Sequence, residues 1–286
     1  MHTLDDIGFY ITNVCNLACK GCESFNNFNF KGHQLWKDYE ETYTKWSKVL
    51  NFRTCNIHGG EPLLNKDILN WADGLRRLWP DCEEYYVSCN GTSLRANKDT
   101  AYTLLQKGWS IDVCLHDPAH REPTEKIIEE IIKDYDWFLF TEDCDEDNHN
   151  RVEYTSNGDV LFSIEEHYNF GPGSIAEIID GVMHYNRNDR LVEHEACVGD
   201  NDEQCHGFNH GMLYKCPFMA SAPDFMSQFN IEPQAKELAL SYQPGLVDEN
   251  LDEFIANIKN PLQQCTLCNY SAKWKPVHPM PKKPKI

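Results

Sequence analysis

The sequence predicts an α/β chain whose parallel sheet curls into a partial (β/α)6 TIM-like barrel. Two observations predict it. Strand-like and amphipathic helix-like runs alternate through the first half. Polar loops bearing cysteine or glycine follow successive strand-like runs. Such alternation implies a parallel sheet covered by helices, and right-handed crossovers curl it. Functional groups then belong at the C-terminal ends of the strands, in the loops after Thr12, Ile57, Ser88 and Leu115.

The elements follow in order. Residues 7–12 form a short β-branched and aromatic run, and 38–50 a helix with Trp46, Val49 and Leu50 among its apolar positions. Residues 52–57 read as a strand. Residues 66–79 read as an amphipathic helix with Ile68, Leu69, Trp71, Leu75 and Leu78 on or near one face. A strand at 84–88 ends at Asn90-Gly91, and a helix at 98–107 is closed by Gly108. A strand at 109–115, a helix at 122–134 and strands at 137–141 and 160–164 complete the expected barrel, residues 1–175. Residues 143–159 are acidic and Asn-rich and receive no element. After Gly171-Pro172-Gly173 the cysteine density changes, and residues 190–272 read as a small second module. Residues 273–286 carry five Lys, four Pro and no acid, the composition of an extended tail.

Composition narrows the function. The 286 residues carry a formal net charge of −19. Phosphate backbones need clustered cations, so a nucleic-acid partner is not expected. No apolar stretch is long enough to span a bilayer, and the first residues lack the basic start and apolar run of a signal peptide. The reading is a cytoplasmic protein. Thirteen cysteines in a reducing compartment favour metal or cluster ligation over disulfides.

The spacing supports that use. Cys15, Cys19 and Cys22 form Cx3Cx2C in the loop after the first strand. Three thiolates within eight residues can wrap one corner of an iron–sulfur cubane and leave the fourth iron open to a small molecule. The bland alternative is zinc with a fourth ligand from elsewhere. Gly59-Gly60-Glu61-Pro62 follows the second strand. Its glycines allow close backbone approach, and Pro62 fixes the exit of the turn.

Residues 11–22 resemble the signature of the radical SAM superfamily, and Gly59-Gly60-Glu61-Pro62 resembles its GGEP loop one βα unit later. The resemblance implies a [4Fe–4S] cluster on the three cysteines, with S-adenosylmethionine (SAM) chelating the open iron. It also implies contacts of the SAM amino group with the GGEP loop. Ser88 and Asn90, in the segment Ser88-Cys89-Asn90-Gly91-Thr92, resemble the family's third-strand residues that line SAM. Cys114 stands where the family often has a ribose-contacting Ser, and His116 after it either faces the substrate pocket or is bonded to neighbouring backbone. One departure is Gly21, where the family often has an aromatic residue before the third cysteine. Cys55, Cys82, Cys89 and Cys144 read as spare, buried cysteines.

Later in the chain Cys197, the run Gly211-Met212-Leu213-Tyr214-Lys215-Cys216 and the pair Cys265/Cys268 resemble the twitch domain, a short form of the SPASM auxiliary-cluster domain. The resemblance implies a second, auxiliary [4Fe–4S] cluster on Cys197, Cys216, Cys265 and Cys268. Cys205 is a competing ligand, and structural zinc is the alternative group. A flavodoxin or ferredoxin would donate electrons, and a cluster able to accept a second electron implies net oxidation of a small molecule. With the cysteine loop at residue 15, no N-terminal peptide-binding domain is expected. Peptide crosslinking or thioether formation is the second reading, and a non-enzymatic zinc protein the third.

Overall fold

A computed structural model describes residues 1–19, 21–28, 30–144, 149–167, 169–170, 175–198, 206–272 and 275–276. The elements are β1 (His2–Tyr10), α1 (Glu40–Trp46), β2 (Leu50–His58), α2 (Ile68–Leu78), β3 (Glu84–Cys89), α3 (Lys98–Gln106), β4 (Ser110–Leu115) and α4 (Arg121–Ile131). Then come β5 (Phe138–Cys144), β6 (His149–Ser156), β7 (Asp159–Glu166), β8 (Asn169–Phe170), β9 (Ile175–Ile179), β10 (Val182–Tyr185) and α5 (Arg190–Val198). The chain closes with β11 (His206–Asn209), β12 (Met212–Tyr214), α6 (Pro217–Gln228), α7 (Pro233–Leu240), α8 (Leu251–Asn257) and β13 (Lys275–Pro276). No helix among the described residues is long and apolar enough to cross a membrane.

Nine strands form one sheet in the order β12-β11-β1-β2-β3-β4-β7-β6-β5. From β11 to β7 every neighbouring pair is parallel, which is the α/β layering expected of a partial barrel. The strand expected at 137–141 exists as β5, but no helix returns it to a parallel position. It pairs antiparallel with β6, and β6 with β7, so the meander reaches the sheet through β7. The sixth parallel strand is β11, which comes from the far side of the chain and lies against β1.

One apolar layer fills the space between sheet and helices. Phe9, Ile57, Val87, Val113 and Phe162 face it from the strands, and Trp46, Trp71, Leu75, Leu104 and Ile128 from the helices. Period-two alternation then turns the intervening residues of β1–β4 and β7 to the opposite, inner face. A second core joins α6 and α7 to the loop after β1, where Phe25, Phe28 and Phe30 pack on Phe225. Phe25 stacks on Phe225 at 4.2 Å and holds φ of 59°, a strained conformation for an aromatic residue that packing maintains. Lys275 and Pro276 pair with Phe170 and Asn169; the rest of the expected tail lies outside the described residues.

Candidate functional site

The loop bearing Cys15, Cys19 and Cys22 leaves β1 at the C-terminal edge of the sheet and is fastened to the next two strand ends. Gly60 N–H donates to Thr12 O at 2.8 Å and Glu61 N–H to Val14 O at 2.8 Å. The glycines make that approach possible. A Cβ on Gly59 would stand 2.4 Å from Thr12 O, and one on Gly60 2.3 Å from Val14 O. Gly59 also holds φ of 144°, which side chains rarely adopt. The double glycine therefore brings the turn against the cysteine loop itself.

Glu61 continues the fastening. Its carboxylate is 0% exposed and accepts from Asn90 N–H at 2.8 Å and from Ser93 Oγ–H at 2.6 Å. Burial pushes its carboxyl up, and the Asn90 and Ser93 bonds oppose that. Pro62 opens the short helical turn that follows. Asn90 closes the circle. Its Nδ2 donates to Asn16 Oδ1 at 2.9 Å and reaches Cys15 Sγ at 3.7 Å, while Asn16 Nδ2 donates to Thr92 Oγ1 at 2.7 Å. Leu17 N–H donates to Cys15 Sγ at 3.4 Å. Cys22 is turned back by its N–H to Cys19 O at 3.4 Å. Gly21 between them holds φ of 79°, so the position that resembles an aromatic site elsewhere needs glycine for its backbone here.

The inner face of the sheet is polar. A closed barrel fills this space with Val, Ile and Leu; here it carries Asn56, His58, Ser88, Asp112, Cys114, Ser163 and Glu165. Ser88 Oγ–H donates to Asn56 Oδ1 at 3.1 Å, and Ser163 Oγ–H to Asp112 Oδ1 at 2.6 Å. Cys114 Sγ lies 3.7 Å from Asp112 Oδ2. His116 Nδ1 lies 3.4 Å from His167 O, and His167 Nε2 lies 3.1 Å from Glu165 Oε2. Arg151 bonds Glu165 and, at 2.8 Å, Glu153.

The two central carboxylates differ. Burial pushes the Asp112 carboxyl up, and the neighbouring Glu165 charge adds to it. The His167 bond and Arg151 hold Glu165 below the usual carboxylate range. Burial pushes His58 down to about 4 and leaves its Nδ1 without a partner. Among these, Asp112, Glu165, His167, Arg151 and His58 were not singled out by sequence reasoning. Their signal is the alternation in Ser-Ile-Asp-Val-Cys-Leu-His and Leu-Phe-Ser-Ile-Glu-Glu-His, since parallel strands buried on both faces read as continuous apolar runs.

The C-terminal cysteines also gather. Cys197 lies on α5, Cys216 caps the N-terminus of α6, and Cys265 lies within the short helical turn Gln263–Leu267 that Cys268 closes. Cys216 follows a β-hairpin, with Gly211 at φ of 75° between β11 and β12. Each thiol lies within electrostatic reach of the others: burial pushes Cys216 up to about 12, with Cys197 and Cys265 contributing. Burial also pushes the Cys268 thiol up. Cys205 and the side chain of Cys144 lie outside the described residues, whereas Cys55, Cys82 and Cys89 are buried. No group of three His, Cys, Asp or Glu side chains among the described residues closes on a single ion. The two cysteine sites touch through Tyr270, whose hydroxyl donates to Glu23, the residue after Cys22.

No protein-family model matches the chain. Over 94 residues it is 31% identical to the GTP 3′,8-cyclase of Petrotoga mobilis, covering 32% of this chain and 29% of that protein. Over 125 residues it is 30% identical to a probable GTP 3′,8-cyclase of Saccharolobus islandicus, covering 43% of this chain and 38% of that one. The matches thus span 29% and 38% of these relatives' length. Among solved structures, Streptococcus suis SuiB bound to S-adenosylmethionine aligns with a TM-score of 0.28 at 14% identity, over 44% of this chain and 37% of that one.

Proposed function

We propose, for a chain that belongs to the radical SAM superfamily, that it cleaves SAM reductively at a [4Fe–4S] cluster on Cys15, Cys19 and Cys22 and oxidises a small molecule on the inner face of its sheet. The observation that carries this reading is the fastening of three successive strand ends around the cysteine loop. Gly60 and Glu61 hold that loop by backbone bonds, and Asn90 and Leu17 aim N–H groups at Cys15 Sγ, as thiolates on iron accept them. When bound, the cluster supplies one electron to the sulfonium of SAM, releasing methionine and a 5′-deoxyadenosyl radical that takes a hydrogen atom from a substrate carbon.

The chain's own residues bind, orient and exclude water. Gly59, Gly60 and Pro62 shape the floor for SAM; Ser88, Asn90, Cys114 and His116 line its approach to the inner face. The substrate is neutral or cationic. The relatives are named for GTP, but a triphosphate needs several cations. The inner face sets Asp112, Glu153 and Glu165 against Arg151, which two of those carboxylates already engage. Cys197, Cys216, Cys265 and Cys268 hold an auxiliary [4Fe–4S] cluster that takes the second electron. A flavodoxin- or ferredoxin-type protein delivers the first electron.

The test is anaerobic reconstitution with iron and sulfide, then dithionite and SAM, with 5′-deoxyadenosine measured. Formation abolished by Cys19→Ala supports the reading. A colourless protein that takes zinc, refuses iron and yields no 5′-deoxyadenosine overturns it.

A further inference from the structure

Lys215 precedes Cys216 and is 6% exposed. Its Nζ donates to Asn260 O and lies 3.1 Å from His194 Nε2, both neutral partners. Among the described residues no carboxylate pairs with it. A buried ammonium is costly unless an anion compensates it. The groups within its electrostatic reach are the thiols of Cys197, Cys216 and Cys265. As neutral thiols they compensate nothing; as thiolates on a metal cluster they would. The N-terminus of α6 points at the same place, because Cys216 is its cap and a helix N-terminus carries positive partial charge.

We infer that Lys215 is the fixed counter-charge of the C-terminal cysteine site, a positioning residue that stabilises an anionic iron–sulfur cluster there and raises its reduction potential. This rests on the proposed auxiliary cluster. The sign follows from charge. A thiolate-ligated cluster gains negative charge when reduced, and a buried cation nearby favours the reduced form. Among the described residues the first cysteine site shows no such cation. At its edge is Glu23; burial pushes the Cys22 thiol up, and the Glu23 charge adds to it.

The experiment is a redox titration of the reconstituted full chain, followed by EPR, comparing wild type with Lys215→Met and Lys215→Arg. Lys215→Met should make reduction of the second cluster at least tenfold less favourable, a shift of about 59 mV or more to lower potential. The signal of the first cluster should stay in place and report that the chain has folded. Lys215→Arg, which keeps the charge, should restore most of the shift. If Lys215→Met does not fold, Lys215→Gln carries the same test. An unmoved second signal in the charge-free variant overturns this inference and leaves the auxiliary cluster standing. A wild-type chain with about four irons and one EPR signal overturns the auxiliary cluster itself, and this inference with it.

Discussion

The two cysteine sites are built in opposite ways. The first draws Cys15, Cys19 and Cys22 from one loop and fixes that loop with hydrogen bonds: two amide-to-sulfur contacts, two backbone bonds from the GGEP turn and a buried Glu61 tied to Asn90 and Ser93. The second gathers its cysteines from α5, the cap of α6 and a distant turn, and places a buried ammonium among them. On the proposed reading, the difference teaches that a site with an open coordination position needs its neighbours held rigidly, whereas a closed four-thiolate site would be held by its ligands and need its charge offset instead.

The widest break between the sites comes from removing ligands. A Cys216→Ala, Cys265→Ala chain should lose about half of its reconstituted iron and still form 5′-deoxyadenosine, and Cys19→Ala should abolish that product. Iron and sulfide counts beside product assays check it. If the double variant kept both clusters, the second ligand set would be wrong.

The next break concerns the fastening alone. Gly60→Ala places a Cβ 2.3 Å from Val14 O, and the obstruction is backbone that cannot rotate away. A cost of about 3 kcal/mol, the upper end for overpacking, is expected in denaturant unfolding. SAM cleavage should fall with it while the second cluster's signal persists. Gly181→Ala meets nothing within 4 Å and, at φ of 76°, carries a backbone cost alone, whereas Gly60, outside the left-handed region, carries the clash alone; SAM cleavage should survive Gly181→Ala.

The same contrast decides what was legible in the sequence. The first site could be read because its ligands and the GGEP and Asn90 turns are contiguous motifs, each at the end of a strand-like run. The second could be read only as a set of cysteines; that they meet depends on long-range packing of α5, α6 and the 263–268 turn. Lys215 was invisible as anything but a residue within Gly211–Cys216, since its burial is a tertiary fact. The inner face stayed hidden for a related reason. Asp112 and Glu165 are far apart in sequence and meet through β4–β7 register, with the whole β5–β6 meander between them. The strand at 137–141 showed the same limit, since propensity marked the strand and not its antiparallel partner.

Acid sharpens the comparison most finely, because each site keeps one histidine neutral by burial. His58 stands before Gly59 and is pushed down to about 4. His206 is also pushed down to about 4 by burial, and its Nδ1–H donates to Lys215 O at 2.8 Å. A depressed histidine contributes stability that is present above its unfolded value, about 6.5, and is lost as pH falls toward the folded value. At pH 5 each should cost the fold about 2 kcal/mol, from roughly 1.5 units at about 1.4 kcal/mol per unit. Urea unfolding at pH 7 and pH 5 measures the loss. His206→Gln keeps a donor for Lys215 O and should recover its share of the loss at pH 5, as should His58→Asn for the first site. If one variant recovered the loss and the other left it unchanged, the acid-sensitive histidine would belong to a single site, and the symmetry between the two would fail at that point.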